Sequence, residues 1–169
     1  SLGIRTVFNI LGPLCNPAGV RRQLMGIYNG DLTEIVANVF KKLGSINAMI
    51  VHGDDGLDEI TTAAKTKISH LKNSGKIVNE LFSALELGFA LSSLDDLRGG
   101  LPEENAQIVQ SILKGEEKGK KTDIVILNAA AGILVGGKVE NIKDGIDVSR
   151  EMIDSGAAMN VLNKLMAVK

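Results

Sequence analysis

Four carboxylates, Asp54, Asp55, Asp58 and Glu59, stand within six residues just after the apolar run Ala48-Met49-Ile50-Val51. Carboxylate oxygens are hard donors, and Mg2+ takes one or two of them while keeping phosphate oxygens and water for its remaining positions. Residues 48–51 are too short and too unbroken for an amphipathic helix and read as a buried strand. Open α/β sheets collect ligands at the carboxyl ends of their strands. The cluster therefore stands where a Mg2+–phosphate site would be built. A second reading competes, in which Gly53 and Gly56 with their aspartates form an ordinary solvated acidic turn.

The other reactive side chains give weaker signals. His52 ends the same strand and reads as a packed strand-end histidine, with support of a nearby metal site as the alternative. His70 reads as a surface strand histidine, because no partner ligand stands near it in sequence. Cys15 reads as a packing residue, since a nucleophile needs a base and no histidine follows before His52. Arg5, Arg21 and Arg22 are scattered and fit a solvated rim better than a phosphate site.

The elements that must position the acidic turn follow from periodicity. Residues 23–28 form a strand that Asn29-Gly30 ends. Asp31 and Glu34 then make a capping box, and Ile35, Val36, Val39, Phe40 and Leu43 line one helix face. Lys41 and Lys42 oppose the macrodipole in the last turn, and Gly44 closes the helix. With the strand at 48–51 this is a βαβ unit, so its strands are expected to be parallel. Upstream, Val7, Phe8, Ile10 and Leu11 give a short helical face stopped by Gly12-Pro13.

Beyond Ile60 the pattern predicts a β-hairpin, 66–71 and 77–82, around Asn73-Ser74-Gly75. Residues 85–97 read as irregular or short-helical. Pro102 opens a helix with Glu103 and Glu104 in its first turn, Ala106, Val109, Ile112 and Leu113 inward, and Gly115 at its end. Residues 116–121 read as a solvated charged linker. Residues 124–135 read as a buried helix, although Ile-Val-Ile-Leu also suits a strand start. Ile142, Ile146, Ser149, Met152 and Ile153 mark another helix face. Ser155-Gly156 separates it from a last helix with Val161, Leu162, Leu165 and Met166 inward, and all five methionines fall in core-like settings.

Composition narrows the class. The 169 residues fit one α/β domain. At 44% hydrophobic the chain can build a core. A net charge of −1 gives no sign of a nucleic-acid or membrane surface. With Cys15 as its single cysteine the chain holds no internal disulfide, which points to a reducing compartment, the cytoplasm. No apolar run reaches the roughly 18 residues of a membrane span, and no signal peptide opens the chain. CxxC, GxGxxG, P-loop and internal repeats are all missing. The chain opens on Ser1, not Met, which fits a piece of a longer protein.

Taken in order, several stretches resemble the anthranilate phosphoribosyltransferase family. They are Gly3-Ile4-Arg5-Thr6-Val7-Phe8-Asn9-Ile10-Leu11-Gly12-Pro13-Leu14 with Asn16-Pro17, then His52-Gly53 with Gly56-Leu57-Asp58-Glu59. Asp96-Leu97-Arg98-Gly99-Gly100 with Glu104-Asn105-Ala106, Leu127-Asn128-Ala129-Ala130 and Asp154-Ser155-Gly156-Ala157-Ala158 complete the set. The resemblance implies a nucleoside phosphorylase/phosphoribosyltransferase-type α/β domain, with a parallel-to-mixed central sheet flanked by helices and a β-hairpin insertion. It implies transfer of the phosphoribosyl group of phosphoribosyl pyrophosphate to anthranilate, in tryptophan biosynthesis, by a glycosyltransferase.

Within that resemblance Asp58 and Glu59 become the Mg2+ ligands, while Asp54 and Asp55 remain solvated turn residues. Gly12, with Pro13, matches a stretch near the anthranilate channel, and Arg5 becomes a supporting residue. The family's glycine-rich pyrophosphate loop, its N-terminal helical domain and its anthranilate-carboxylate partner have no counterpart in residues 1–169. The chain is accordingly expected to be the C-terminal portion of a homodimeric enzyme and inactive alone, with no nucleic-acid or membrane partner. A pyrimidine nucleoside phosphorylase and a non-catalytic nucleic-acid-binding relative are the alternatives. Asp58-Glu59 and Leu11-Gly12-Pro13-Leu14 favour the transferase over the first, and the net charge of −1 speaks against the second.

Overall fold

The computed structural model describes residues 12–168. Its contacts define two compact units, one running to Ile60 and including Thr66–Phe82, the other made of Thr61–Lys65 and the chain from Ser83 onward.

The first unit is built on a four-stranded sheet, β1 (Arg22–Gly26), β2 (Asn47–Gly53), β3 (Lys65–Leu71) and β4 (Ile77–Ser83), in the spatial order β1-β2-β3-β4. β1 and β2 are parallel, with Met25 opposite Ile50 and Gly26 opposite Val51. β2 and β3 are antiparallel, with Ile50 opposite Ser69 and Gly53 opposite Thr66. A parallel pair needs a crossover, and here it is a 3-10 turn, Gly30–Leu32, followed by α1 (Thr33–Lys42). The expected βαβ unit and hairpin are both present, and the sheet is mixed.

Met25, Ile27, Val36, Ala37, Phe40, Ala48, Ile50 and Leu71 form the core of this unit, with Leu14, Tyr28, Leu32 and Ile77 packed against it. Full burial of a side chain such as Phe40 contributes about 1.5–3 kcal/mol. β2 is buried along nearly its whole length, as a strand with neighbours on both edges and α1 on one face must be.

Local chemistry moves several expected details. Asn29, not Asp31, supplies the cap, its side chain accepting from Asp31 N at 3.0 Å, and Leu32 at the start of α1 has no side-chain cap. The inserted 3-10 turn sets the helix start at Thr33. The buried stripe is Thr33, Val36, Ala37 and Phe40, whereas Ile35 and Leu43 face solvent. A threonine took the place an apolar-only tally reserved for Ile35, because Ser69 Oγ donates to Thr33 Oγ1 at 2.9 Å and so satisfies it inside the core. Gly44 closes α1 as expected, with φ +83° and Ser45 N donating to Phe40 O.

Residues 12–14 are helical and the turn begins at Cys15. Cys15 is exposed in that turn, not packed. Arg5 and the apolar face Val7, Phe8, Ile10 and Leu11 lie outside the described residues. His70 is not a surface histidine: it is 2% exposed on interior strand β3. Its Nε2 lies 2.8 Å from Asn47 Oδ1. Burial, with Lys72 adding to it, lowers its pKa to about 4.

The second unit carries a 3-10 turn, Ala84–Leu87, then α2 (Leu94–Leu97), α3 (Pro102–Leu113), α4 (Lys120–Val135), α5 (Ile142–Asp154) and α6 (Ala157–Met166). α4 is a helix throughout, so the strand alternative for its opening falls. Ile124, Ile126, Leu127, Ala130, Ala131 and Val135 are buried. α5 buries Gly145, Ile146, Ser149 and Ile153, and a Cβ on Gly145 would lie 2.7 Å from Ala130 O. The two helices therefore meet backbone to backbone at that point.

Residues 116–121 are not a solvated linker. Glu117 accepts from Gly119 N at 2.6 Å and from Thr122 N at 2.9 Å, which caps α4. Lys120 Nζ donates to Ala90 O, and Lys121 Nζ to Asp96 O at 2.8 Å and Arg98 O at 2.7 Å. On α3 only Ile112 is buried, and Val109 is exposed. α6 buries none of its residues, and Val161, Leu165 and Met166 are exposed. Met25 and Met49 are core residues, while Met152 and Met166 are not. An amphipathic stripe marks a face but does not supply a neighbour to cover it. No helix among the described residues is long and apolar enough to cross a membrane.

Candidate functional site

β2 ends at Gly53, where the acidic turn closes on itself. Leu57 O accepts from Gly53 N at 2.8 Å, and Gly53 O accepts from Gly56 N at 2.9 Å. Gly56 has φ +90°, a conformation that a side chain would strain. Asp55 Oδ1 accepts from Leu57 N at 3.1 Å. Asp55 thus serves the turn, and Asp54 is exposed. The chain then passes through Asp58 and Glu59, both exposed, and is pinned by Ile60, which is fully buried. The four carboxylates divide into a turn-forming pair and a pair held between two fixed points.

A residue that the sequence pattern did not single out completes the geometry. Gly26 ends β1, and a Cβ built on it would lie 1.5 Å from Asp58 O and 2.6 Å from Asp58 C. The backbone of Asp58 therefore occupies the space of a missing side chain. The acidic turn folds back over the carboxyl end of β1, beside the parallel register of Gly26 and Val51. The one available signal was a glycine inside a strand pattern, which marks close backbone approach.

Although Glu59 as a residue is exposed, protein packed around part of its side chain desolvates the carboxyl and raises its pKa, and the neighbouring charges of Asp58 and then Asp55 raise it further. A cation bound there would relieve both causes. Among the described residues no group of three or more His, Cys, Asp or Glu is placed to hold a metal unaided. The described residues thus hold no closed zinc-type cage of their own. This agrees with Mg2+, which needs one or two carboxylates and draws its other oxygens from phosphate and water. The donor set fits that ion.

His52 is half-buried, with Nδ1 2.7 Å from Ile27 O. A carbonyl only accepts, so Nδ1 carries a proton and donates it. A Cβ on Gly30 would lie 2.9 Å from His52 Cδ2, so the ring is packed as expected of a strand-end histidine. Gly12 is exposed. Its neighbour Pro13 lines a cavity of about 240 Å³ with Leu14, Arg21, Phe40 and Ser45, at the amino end of β1. Asp58 lies over the carboxyl end of that strand, so the structure does not bring Gly12 to the acidic pair.

Residues 1–159 match the model of the glycosyl transferase family, a/b domain. The anthranilate phosphoribosyltransferase of Acetivibrio thermocellus is 51% identical over 165 residues, covering 98% of this chain and 47% of the relative. The crystal structure of anthranilate phosphoribosyltransferase from Thermus thermophilus superposes with a TM-score of 0.87 at 37% identity, over 96% of this chain and 47% of that one. The Saccharomyces cerevisiae enzyme in complex with PRPP and Mg superposes with a TM-score of 0.85 at 30% identity, over 96% of this chain and 46% of that one. This chain spans about half the length of the curated relatives it matches.

Proposed function

The chain belongs to the glycosyl transferase family, through its a/b domain, and from that premise we propose that it is the C-terminal portion of an anthranilate phosphoribosyltransferase. The reaction joins the amine nitrogen of anthranilate to C1 of phosphoribosyl pyrophosphate. The C1–O bond breaks, pyrophosphate leaves with the bonding electrons, and the amine loses a proton. The products are N-(5-phosphoribosyl)anthranilate and pyrophosphate.

The observation that carries this reading is the Asp58–Glu59 pair, exposed between a closed turn and buried Ile60 at the carboxyl end of a parallel strand pair. These two carboxylates are the residues that would hold Mg2+. The chemistry supplied there is neutralisation of charge on the departing pyrophosphate. The self-bonded turn at 53–57 fixes where the pair begins, and Ile60 where it ends. Preorganised charge of this kind stabilises a transition state without reorganising during the step.

Residues upstream of Ser1 supply the rest in this reading: a glycine-rich pyrophosphate loop, a helical domain and the group that reads the anthranilate carboxylate. Gly12 as a substrate contact rests on its segment's resemblance alone. The full-length protein is a cytoplasmic homodimer that binds neither nucleic acid nor membrane, and residues 1–169 alone do not turn over.

The test uses the full-length protein with anthranilate, phosphoribosyl pyrophosphate and Mg2+, following the loss of anthranilate fluorescence. Consumption by the wild type, collapsing in Asp58→Ala/Glu59→Ala, is the expected result. A folded wild type that consumes no anthranilate overturns the assignment.

A further inference from the structure

We propose that Gly26 is a positioning residue for the metal-binding carboxylates, its missing side chain forming the seat on which the backbone of Asp58 rests; this deepens the Mg2+ reading of Asp58 and Glu59 and rests on it. The requirement is one of space. Gly26 is not among the glycines with positive φ, so its backbone is one that other residues adopt freely. What forbids a side chain is that its Cβ would stand 1.5 Å from Asp58 O, 2.6 Å from Asp58 C and 3.3 Å from Asp58 Cβ.

Neither partner can yield locally. Gly26 is held in the ladder opposite Val51, and the next residue, Ile27, donates its N–H to Val51 O at 3.0 Å. Asp58 follows directly on Leu57, whose carbonyl is bonded to Gly53 N, and is separated only by Glu59 from buried Ile60. The colliding atoms on the Asp58 side are backbone, which no rotamer change removes. A methyl group at position 26 must therefore lift the Asp58 peptide from 1.5 Å to an ordinary contact of at least 3.4 Å, taking both carboxylates with it. Mg2+ holds its oxygens at about 2.0–2.1 Å in near-ideal octahedral geometry, so a displacement of that size spoils the pair as ligands.

The test measures Mn2+ binding to the full-length protein in the presence of pyrophosphate, reading free Mn2+ by electron paramagnetic resonance. Gly26→Ala is compared with a variant carrying one glycine inserted between Leu57 and Asp58, which leaves the strand intact and unseats the turn from the other side. Asp58→Ala/Glu59→Ala reports whether the pair binds metal at all. Gly145→Ala, a milder backbone collision in the helical unit with its nearest atom at 2.7 Å, controls for lost stability.

Gly26→Ala and the insertion are each expected to weaken Mn2+ binding by roughly tenfold to a hundredfold, the usual effect of disturbing the groups that orient metal ligands. Gly145→Ala keeps wild-type affinity. If Gly26→Ala does not fold, the insertion variant decides. Wild-type affinity in the insertion variant or in folded Gly26→Ala, with binding lost in Asp58→Ala/Glu59→Ala, overturns the positioning role. Wild-type affinity in that double variant overturns the metal reading and the role of Gly26 with it.

Discussion

His70 Nε2 lies 2.8 Å from Asn47 Oδ1, and Asn47 Nδ2 in turn donates to Asn73 Oδ1 at 3.2 Å. The amide oxygen can only accept, so His70 carries a proton on Nε2, and the lowered pKa keeps the ring neutral at neutral pH. Burial, with Lys72 adding to it, lowers the pKa of His70 from 6.5 to about 4. Between those values the unfolded chain takes up a proton that the native state refuses. Stability is therefore complete above the unfolded pKa and is lost as pH falls from 6.5 toward 4. The contribution is about 2 kcal/mol or less. His70→Gln keeps a donor and does not titrate, so its urea midpoint should fall less than that of the wild type across this interval. Parallel pH profiles for the two proteins would refute the prediction.

Glu59 shows the opposite sign. Its pKa is raised by partial burial and by Asp58 and Asp55. The folded state thus binds the proton more tightly than the unfolded state, and the ionised carboxylate costs stability at neutral pH. Glu59→Gln should raise the melting temperature of the metal-free full-length protein slightly. Mg2+ with pyrophosphate should then stabilise the wild type more than the variant. Scanning calorimetry with and without Mg2+ checks both halves. A variant that melts below the metal-free wild type counts against this account.

Gly145→Ala sets two effects against each other. Helix propensity alone favours alanine by about 1 kcal/mol. The added methyl would meet Ala130 O at 2.7 Å, with Ala130 Cα and C also within 3.2 Å, and overpacking of this kind costs about 1–3 kcal/mol. The collision should win, lowering the urea midpoint. A gain in stability would show that α5 can move off α4 freely.

Lys121 ties the end of α2 to the start of α4 through the carbonyls of Asp96 and Arg98. Lys121→Met keeps most of the aliphatic stem and removes both bonds, a loss of about 1 kcal/mol. Tryptic cleavage after Arg98 should accelerate relative to the wild type. Unchanged cleavage would mean that the end of α2 is held by other contacts.

What was legible in the sequence was what neighbours along the chain determine. The strand at 48–51, the closure of α1 by Gly44, the hairpin about Gly75 and the start of α3 at Pro102 each depend on a few consecutive residues. What stayed hidden depends on partners far along the chain. Thr33 enters the core because Ser69 meets it, and His70 is buried because Asn47 meets it. Lys120 and Lys121 become structural because distant carbonyls need donors. At the site, the family motif picked out Asp58 and Glu59, but nothing near Gly26 announced that the backbone of Asp58 would lie on it. A glycine's function as empty space is visible only when the neighbour that fills that space is known.

Tyr28, packed against the β1–α1–β2 core, has a spectroscopic consequence. The chain holds no tryptophan, and this is its one tyrosine. Its tyrosine emission therefore comes from a single position in the sheet unit, and the helical unit contributes none. Circular dichroism is dominated instead by the helices, most of which belong to the second unit. Melting curves of residues 1–169 recorded by the two methods thus observe different halves of the molecule. Coincident curves would mean that the units unfold as one, and separated curves would give each its own transition.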